Sequence, residues 1–190
     1  MATMIEKRKA TDERIYNAAV IQFGTKGYAN TTLSSIAKSA GITPGLIVQN
    51  FGSKEELYRK IALDIVGRIH ERFKDSSKVW DIRCRNIVEW TIDVLEKYPN
   101  SINFLNFYVS LISSLDTPDD VLNELYHMYK MTDIDDIIRE GQEKGEVIEG
   151  DTYAIHGLFW INLHSTLSQC YNNNLQIPRT EWFLEIITKR

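Results

Sequence analysis

Residues 31–57, TTLSSIAKSAGITPGLIVQNFGSKEEL, decide the fold of this chain. The first part, LSSIAKSA, places apolar residues at i, i+3, i+4 and i+7, which is one face of a short helix that ends at Gly41. A second short helix begins with Thr43 as N-cap and Pro44 in its first turn. Residues 53–56, SKEE, then form a capping box that opens a third helix. Two short helices joined by a glycine-containing turn, with another capped helix directly after them, predict a helix-turn-helix.

The helix from Thr43 to Phe51 is the predicted recognition helix, the element that enters the major groove of DNA. If Ile47 and Phe51 pack inward, the 100° step per residue turns Gly45 and Gln49 to the opposite side. Gly45 has no side chain and therefore permits close approach to DNA. The predicted DNA-contacting residues of this helix are Thr43, Pro44, Gly45, Leu46, Val48, Gln49 and Asn50.

Charge is distributed unevenly along the chain, whose net charge is −4. Residues 1–54 hold seven Lys and Arg against three Asp and Glu, a net charge of +4, and the remainder carries −8. From Arg14 to Lys54 there is no carboxylate, so phosphate can approach this segment without like-charge repulsion, and helix N-termini offer it backbone N–H groups. We expect phosphate contacts from Lys9, Thr31, Thr32 and Lys54. A solvated basic face of an ordinary domain is the alternative interpretation of the charge alone.

The rest of the chain predicts an all-α protein, because prolines are few, glycines lie mostly at segment ends and period-2 alternation is absent. A first helix is expected from Thr11 to about Gly27. The helix that opens at residue 54 should run to about residue 73 and join an N-terminal head, residues 1–54, to a C-terminal body, residues 55–190. Further helices are predicted at about residues 79–98, 101–115, 118–144, 152–173 and 179–189.

Residues 15–57 resemble the head of the tetracycline-repressor (TetR) family of transcription regulators. The motifs that carry the resemblance are Ala18-Ala19 to Phe23, Lys26-Gly27-Tyr28, Thr31-Thr32-Leu33, Ile36-Ala37, Ala40-Gly41-Ile42, Gly45 through Phe51, Ser53-Lys54 and Leu57. In the body, residues 140–146, EGQEKGE, are similar to a GQxxGE motif of the family. The resemblance implies about nine helices, a homodimer formed by the last two, operator DNA as a partner, and a body cavity whose small-molecule effector releases the repressor from DNA.

The recognition helix departs from the family pattern at three positions. Leu46, Val48 and Asn50 stand where family members commonly carry a small hydroxyl residue, a tyrosine and a histidine. Bidentate amides suit adenine and apolar side chains suit the thymine methyl group, so Gln49 and Asn50 together with the two apolar residues predict A·T-rich half-sites. In the alternative interpretation Asn50 only caps or packs, and Gln49 alone reads a base.

The body contains an apolar, aromatic segment that predicts an effector cavity. Residues 101–115 carry almost no charge, and aromatic residues on neighbouring helices can face them. The predicted lining, for an apolar or planar effector, is Trp90, Phe104, Phe107, Tyr108, Tyr126 and Tyr129. Ordinary core packing is the alternative interpretation of such a stripe.

A second stripe, at i, i+4 and i+8 on the penultimate helix, predicts the dimer contact. The residues assigned to it are His156, Phe159, Trp160, Leu163, His164 and Leu167. The two histidines are about 12 Å apart by helical rise, too far to share one metal ion. A lone Glu124-x-x-His127 lacks the second copy that a di-iron bundle requires. We therefore expect neither a metal nor another cofactor.

Other classes of protein have weaker support in the sequence. No secretory or membrane-spanning segment is evident, and Cys84 and Cys170 fit no ligand spacing, which favours a cytoplasmic protein with reduced thiols. No phosphate loop, nucleophile elbow or zinc-protease motif occurs, so we expect no enzyme and assign no catalytic residue. The competing hypothesis is a helical ligand-binding or interaction protein whose head no longer reads DNA.

Overall fold

The computed structural model describes residues 3–74 and 78–188, and the regular secondary structure within these ranges is helical except for one isolated antiparallel bridge between Val147 and Thr188. This confirms the predicted all-α class. The helices are α1 Met4–Lys26, α2 Leu33–Ala40, α3 Pro44–Phe51, α4 Lys54–Phe73, α5 Trp80–Lys97, α6 Ile102–Ser113, α7 Asp119–Lys130, α8 Ile134–Glu143, α9 Thr152–Asn172 and α10 Thr180–Leu184. No helix in the described ranges is both long and apolar enough to cross a membrane.

Helix α1 begins earlier than predicted, so Thr11 is not its N-cap. Thr3 is the cap: its hydroxyl accepts the N–H of Glu6 at 3.2 Å, and the Glu6 carboxylate accepts the N–H of Thr3 at 2.6 Å. Thr11 lies inside the helix, where its hydroxyl donates to the carbonyl of Lys7. This reciprocal capping box satisfies two backbone donors and extends the helix through the basic residues that precede Thr11.

The predicted helix over residues 118–144 is two helices, because Thr132 interrupts it. The Thr132 hydroxyl donates to the carbonyl of Tyr129 at 2.7 Å and accepts the N–H of Ile134 at 3.2 Å. Local side-chain bonds of this kind compete with the helical ladder. As a result, α7 ends at Lys130 and α8 begins at Ile134.

The predicted last helix over residues 179–189 is also shorter than expected. Its helical part is α10, and the chain beyond Leu184 turns back on itself. The carbonyl of Ile187 accepts the N–H of Ile148 at 3.0 Å, beside the bridge between Val147 and Thr188. The end of the described chain is thus paired with the segment after α8.

Two hydrophobic clusters fill the interior. The head core takes buried side chains from α1, α2, α3 and the first three turns of α4, and is completed by Phe107 and Leu111 of α6 and Val121 of α7. The body core joins α5, α8, α9 and α10 with parts of α6 and α7. Ile69 of α4 and Tyr108 of α6 pack against both clusters. The head core thus extends well beyond residue 54. The boundary between head and body that is predicted at this residue does not coincide with a boundary between hydrophobic cores.

Helices α1 and α6 cross in close contact at Gly24. A Cβ atom at this position would lie 2.8 Å from the backbone nitrogen of Phe107 and 3.2 Å from its Cα atom. Backbone atoms of a packed helix cannot move aside cheaply, and interiors are close-packed. The missing side chain of Gly24 therefore permits the contact between the head and α6.

We expect Gly24→Ala to lower the free energy of unfolding by about 1–3 kcal/mol, since overpacking outweighs the better helix propensity of alanine. Gly45→Ala is the matched control, because a Cβ atom at helical Gly45 meets nothing within 4 Å. It should leave stability unchanged or raise it by up to about 1 kcal/mol. Urea unfolding of both variants measures the difference, and equal stabilities would contradict the close contact.

Candidate DNA-binding head and effector cavity

The turn between α2 and α3 depends on Gly41. Its backbone is left-handed, with φ 65° and ψ 42°. This conformation is unfavourable for residues that have a side chain, whereas glycine adopts it without strain. The N–H of Ile42 bonds back to the carbonyl of Ala37 at 3.0 Å. The guanidinium of Arg14 in α1 donates to the carbonyls of Ala40 and Gly41, where the negative end of the α2 dipole lies. Gly41 and Arg14 together fix the angle at which α3 leaves α2.

Helix α3 has the orientation that the sequence predicts. Ile47 is completely buried in the head core, whereas the side chain of Val48 is about half exposed. Leu46 and Asn50 are partly buried at the margins of this surface. The exposed residues of the recognition helix and its N-cap are Thr43, Pro44, Gly45, Val48 and Gln49.

Asn50 contacts another helix of the head. Its amide nitrogen donates to the carboxylate of Asp12 in α1 at 2.8 Å. The bond ties α3 to α1, as the interpretation of Asn50 as a packing residue requires. Gln49 is the amide of this helix that remains exposed.

The four predicted phosphate contacts are placed very differently. Thr31 is 1% exposed, and its hydroxyl lies 2.8 Å from the carbonyl of Gly27 and 3.1 Å from that of Gln22. The prediction that its side chain meets phosphate was therefore wrong. Thr32 is exposed and caps α2 through Ser35. Lys9 is exposed on α1.

Lys54 stabilises the head from within. Its ammonium group donates to the carbonyls of Tyr28 and Thr31, at 2.9 and 3.1 Å, and lies 4.1 Å from the centre of the Tyr28 ring. These contacts use two of its three N–H donors. Lys54 thereby holds the N-terminus of α4 against the loop before α2.

The body encloses a cavity of about 620 Å³ between α4, α5, α6, α7, α8 and α9. Most of its wall is apolar or aromatic, which suits an apolar effector. Of the predicted lining residues, Tyr108 and Tyr129 lie in the wall. The other four predicted residues do not line the cavity. Phe107 belongs to the head core, and Phe104 packs against Tyr16. Trp90 packs against the body core, and Tyr126 is 41% exposed.

The aromatic and histidine stripe on α9 faces the interior of its own subunit and not a partner. Phe159 and Trp160, 1% and 8% exposed, line the cavity together with His156. The buried residues Leu163, His164 and Leu167 continue the same face into the body core and its margin. The prediction of a dimer contact for this stripe was wrong, because α9 is central to the body and buries this side against α6 and α8.

Burial holds the cavity histidine uncharged. The indole nitrogen of Trp160 donates to Nε2 of His156 at 2.6 Å, so the imidazole carries its proton on Nδ1. Burial lowers the pKa of His156 to about 3, and the pKa of His164, one turn beyond Trp160, to about 3 as well. Both imidazoles are therefore neutral at ordinary pH.

An ion-pair network lies at the end of the cavity where α4 ends. Arg83, with a side chain only 2% exposed, donates to the Asp133 carboxylate at 2.8 Å and to the carbonyl of Lys74 at 2.9 Å. Lys78 pairs with the same carboxylate. Although burial raises the pKa of Asp133, the hydrogen bonds from Arg83 and Lys78 lower it below its usual value. Sequence patterns do not reveal this network, because Arg83 and Asp133 are 50 residues apart.

Helix α4 connects recognition helix and cavity. Its N-terminal half, with Leu57 and Ile61, is buried in the head core beside α3. Its C-terminal half contributes Val66, Ile69 and His70 to the cavity wall. A helix is stiff on this length scale, so a displacement at its cavity end moves its head end as well.

A helix-turn-helix head joined by a continuous helix to a cavity-bearing helical body defines a class of DNA-binding protein. Residues 15–61 match the family model described as bacterial regulatory proteins, tetR family. The head of the chain is therefore similar to the head of the TetR family, and the whole chain shares its fold with a solved structure of a regulator of that family.

The curated relatives are named as transcriptional regulators of the helix-turn-helix type. A segment of 122 residues, 60% of this chain, is 29% identical to IcaR of Staphylococcus epidermidis, a negative transcriptional regulator of the biofilm operon icaADBC. The match covers 59% of that relative, so the chain spans less than two thirds of its length.

Among solved structures, a TetR family transcription regulator from Marinobacter aquaeolei VT8 matches with a TM-score of 0.74 and 13% identity, over 98% of this chain and all of that one. The regulator FadR from Bacillus subtilis, in complex with stearoyl-CoA, matches with a TM-score of 0.64 and 22% identity, over 92% and 96% of the two chains. At these identities, the likeness concerns the fold.

The two neutral histidines predict a pH dependence of stability. Their pKa values in the folded chain lie below the ordinary value, so the unfolded chain binds more protons between about pH 6.5 and 3. Stability therefore falls as the pH drops through this range. We expect each histidine to cost about 1 kcal/mol as the pH drops from 6 to 5.

Urea unfolding at pH 7, 6 and 5 checks this expectation. His164→Gln should remove about half of the loss, whereas His127→Gln, at an exposed position on α7, should retain all of it. The same pH dependence in both variants would show that the buried imidazole is not the cause.

Proposed function

We propose that this chain is a ligand-responsive transcription regulator that binds operator DNA as a homodimer and leaves it when a small apolar effector occupies the body. The observation that carries the proposal is helix α4, which contacts the recognition helix at one end and walls the cavity at the other. A ligand that binds more tightly to one position of α4 shifts the population toward that position and changes the affinity for DNA.

The exposed face of α3 supports DNA as the partner of the head. Gly45, Val48 and Gln49 are exposed together on an uncrowded side of the helix. The positive charge of the first 54 residues attracts phosphate and confers salt-dependent affinity. Lys9 and the N-terminus of α2 at Thr32 offer phosphate contacts, and Gln49 together with the apolar residues offers base contacts.

The cavity supports an effector that relieves repression. Its volume lies in the range typical of small-molecule sites, and the FadR neighbour was solved with stearoyl-CoA bound. The name of IcaR as a negative regulator favours repression as the action on DNA. Helix α6 provides a second route to the head, since Tyr108 lines the cavity while Phe107 lies in the head core.

The outer side of α9 and the segment around α10 support homodimerisation. Trp182 is 59% exposed, and Leu158 and Ile161 are exposed on α9 at the margin of the cavity. Leu175 and Ile186 add exposed apolar surface nearby in the chain. A second copy that covers this surface forms a symmetric interface and presents two recognition helices to successive half-sites about 34–36 Å apart.

The test of DNA binding is selection from random duplexes followed by affinity measurement at several salt concentrations. We expect A·T-rich half-sites and a steep linear fall of log K with log salt concentration. Gln49→Ala should weaken binding to the selected duplex by about 1–3 kcal/mol and relax its sequence preference. Asn123→Ala, at an exposed position on α7, is the control and should bind like the parent.

Two outcomes would count against this function. G·C-rich selected half-sites would refute the base preference but not DNA binding. Absence of any sequence preference, with equal binding by Gln49→Ala, would favour a helical ligand-binding protein whose head no longer reads DNA.

The test of the homodimer is sedimentation velocity of two lysine variants. Trp182→Lys should shift the chain toward the monomer, because a buried aromatic residue is a typical interface anchor and a buried unpaired charge is costly. Leu115→Lys is the control: Leu115 is fully exposed in the loop between α6 and α7, away from α9 and α10. A dimer that persists unchanged in Trp182→Lys would overturn this assignment of the interface.

A further inference from the structure

The cavity wall contains hydrogen-bond donors that the protein itself does not use. The Tyr108 hydroxyl and Nδ1 of His156, both on residues that line the cavity, have no hydrogen-bond partner among the described residues. Because Nε2 of His156 accepts the bond from Trp160, Nδ1 carries the proton and is a donor. A buried donor without a partner is unusual in a native protein.

These donors belong to one aromatic cluster. The rings of Trp80 and Phe159 lie 5.9 Å apart, those of Phe159 and Trp160 5.8 Å, and those of Trp160 and Tyr108 5.9 Å. Trp160 also holds His156 through its hydrogen bond. A single ligand that lies against these rings therefore comes close to both donors at once.

The charges around the cavity argue against an ionic ligand. No Asp or Glu occurs among the residues that line the cavity, so a cation would find no counter-ion in the wall. The cations Arg83 and Lys74 lie in the wall, but Asp133 and Glu71 already neutralise them. An anionic ligand would have to compete with these carboxylates.

We propose that the effector is a neutral, largely apolar molecule with a hydrogen-bond acceptor, such as a ketone or lactone carbonyl oxygen, that pairs with the donors of Tyr108 and His156. This inference rests on the proposed function, because it assigns the ligand class of the same cavity. A hydrocarbon of equal size would displace water from these donors and leave them unpaired, whereas a carbonyl oxygen replaces that water.

Four naphthalene probes on one skeleton test the ligand class in the full-length protein. The ketone is 6-propionyl-2-(dimethylamino)naphthalene. In the first analogue a propyl group replaces the propionyl group, and in the second a carboxylate replaces it. The third analogue carries the propyl group and has a trimethylammonium group in place of the dimethylamino group. Isothermal titration calorimetry gives the dissociation constants. We expect the ketone to bind at least about tenfold more tightly than each analogue, the effect of pairing one buried donor.

A matched pair of tyrosine variants tests the donor itself. Tyr108→Phe keeps the ring and removes the hydroxyl. It should therefore lower the affinity for the ketone by about tenfold and leave the affinity for the propyl analogue unchanged. Tyr98→Phe, at an exposed position outside the cavity wall, should alter neither affinity. Because two probes are compared on one protein, a general loss of folding would lower the affinity for both and is recognised in this way. His156→Phe then repeats the test at the second donor.

The outcomes separate this inference from the function on which it rests. If the propyl, carboxylate or ammonium probe binds as tightly as the ketone, the neutral-acceptor class is wrong while a ligand-binding cavity stands. If none of the four probes binds, the effector role of the cavity fails as well. Ketone selectivity that Tyr108→Phe abolishes supports the proposal.

Discussion

Helix α4 is buried in two hydrophobic cores at once. Its first turns pack with α1, α2 and α3, and its last turns close the cavity of the body. The capping box at Ser53 and the ammonium group of Lys54 fix its beginning, while Ile69 packs against both cores near its end. A change in the position of α4 in the body therefore also changes its position in the head, because the helix is packed in both cores.

Helix α6 adds a second mechanical connection of a different kind. Consecutive residues of a helix point about 100° apart, so Phe107 is buried in the head core while Tyr108 reaches the cavity. The close contact at Gly24 then holds α6 against α1. Both α4 and α6 thus connect the head core with the cavity. Helix α4 does so through its two ends, and α6 does so through residues on its different faces.

The parts that the sequence predicts well are those determined by local signals. Glycine, proline and capping boxes define α2, α3 and the start of α4, and helical periodicity correctly buries Ile47. The errors lie where tertiary contacts decide. Periodicity marks the apolar side of α9 but does not tell whether a second subunit or the same chain covers it. Trp80 and Arg83 were missed for a similar reason, since their partners in space are far away in sequence.

The early start of α1 changes the geometry of the basic N-terminal residues. Lys7, Arg8 and Lys9 occupy successive positions of one rigid helix and point in three directions about 100° apart. A flexible tail would let all three charges follow the curvature of the sugar–phosphate backbone. Here the reach of each side chain is limited to its own length, so in the proposed complex with DNA each of the three charges can meet phosphate only on its own side of α1.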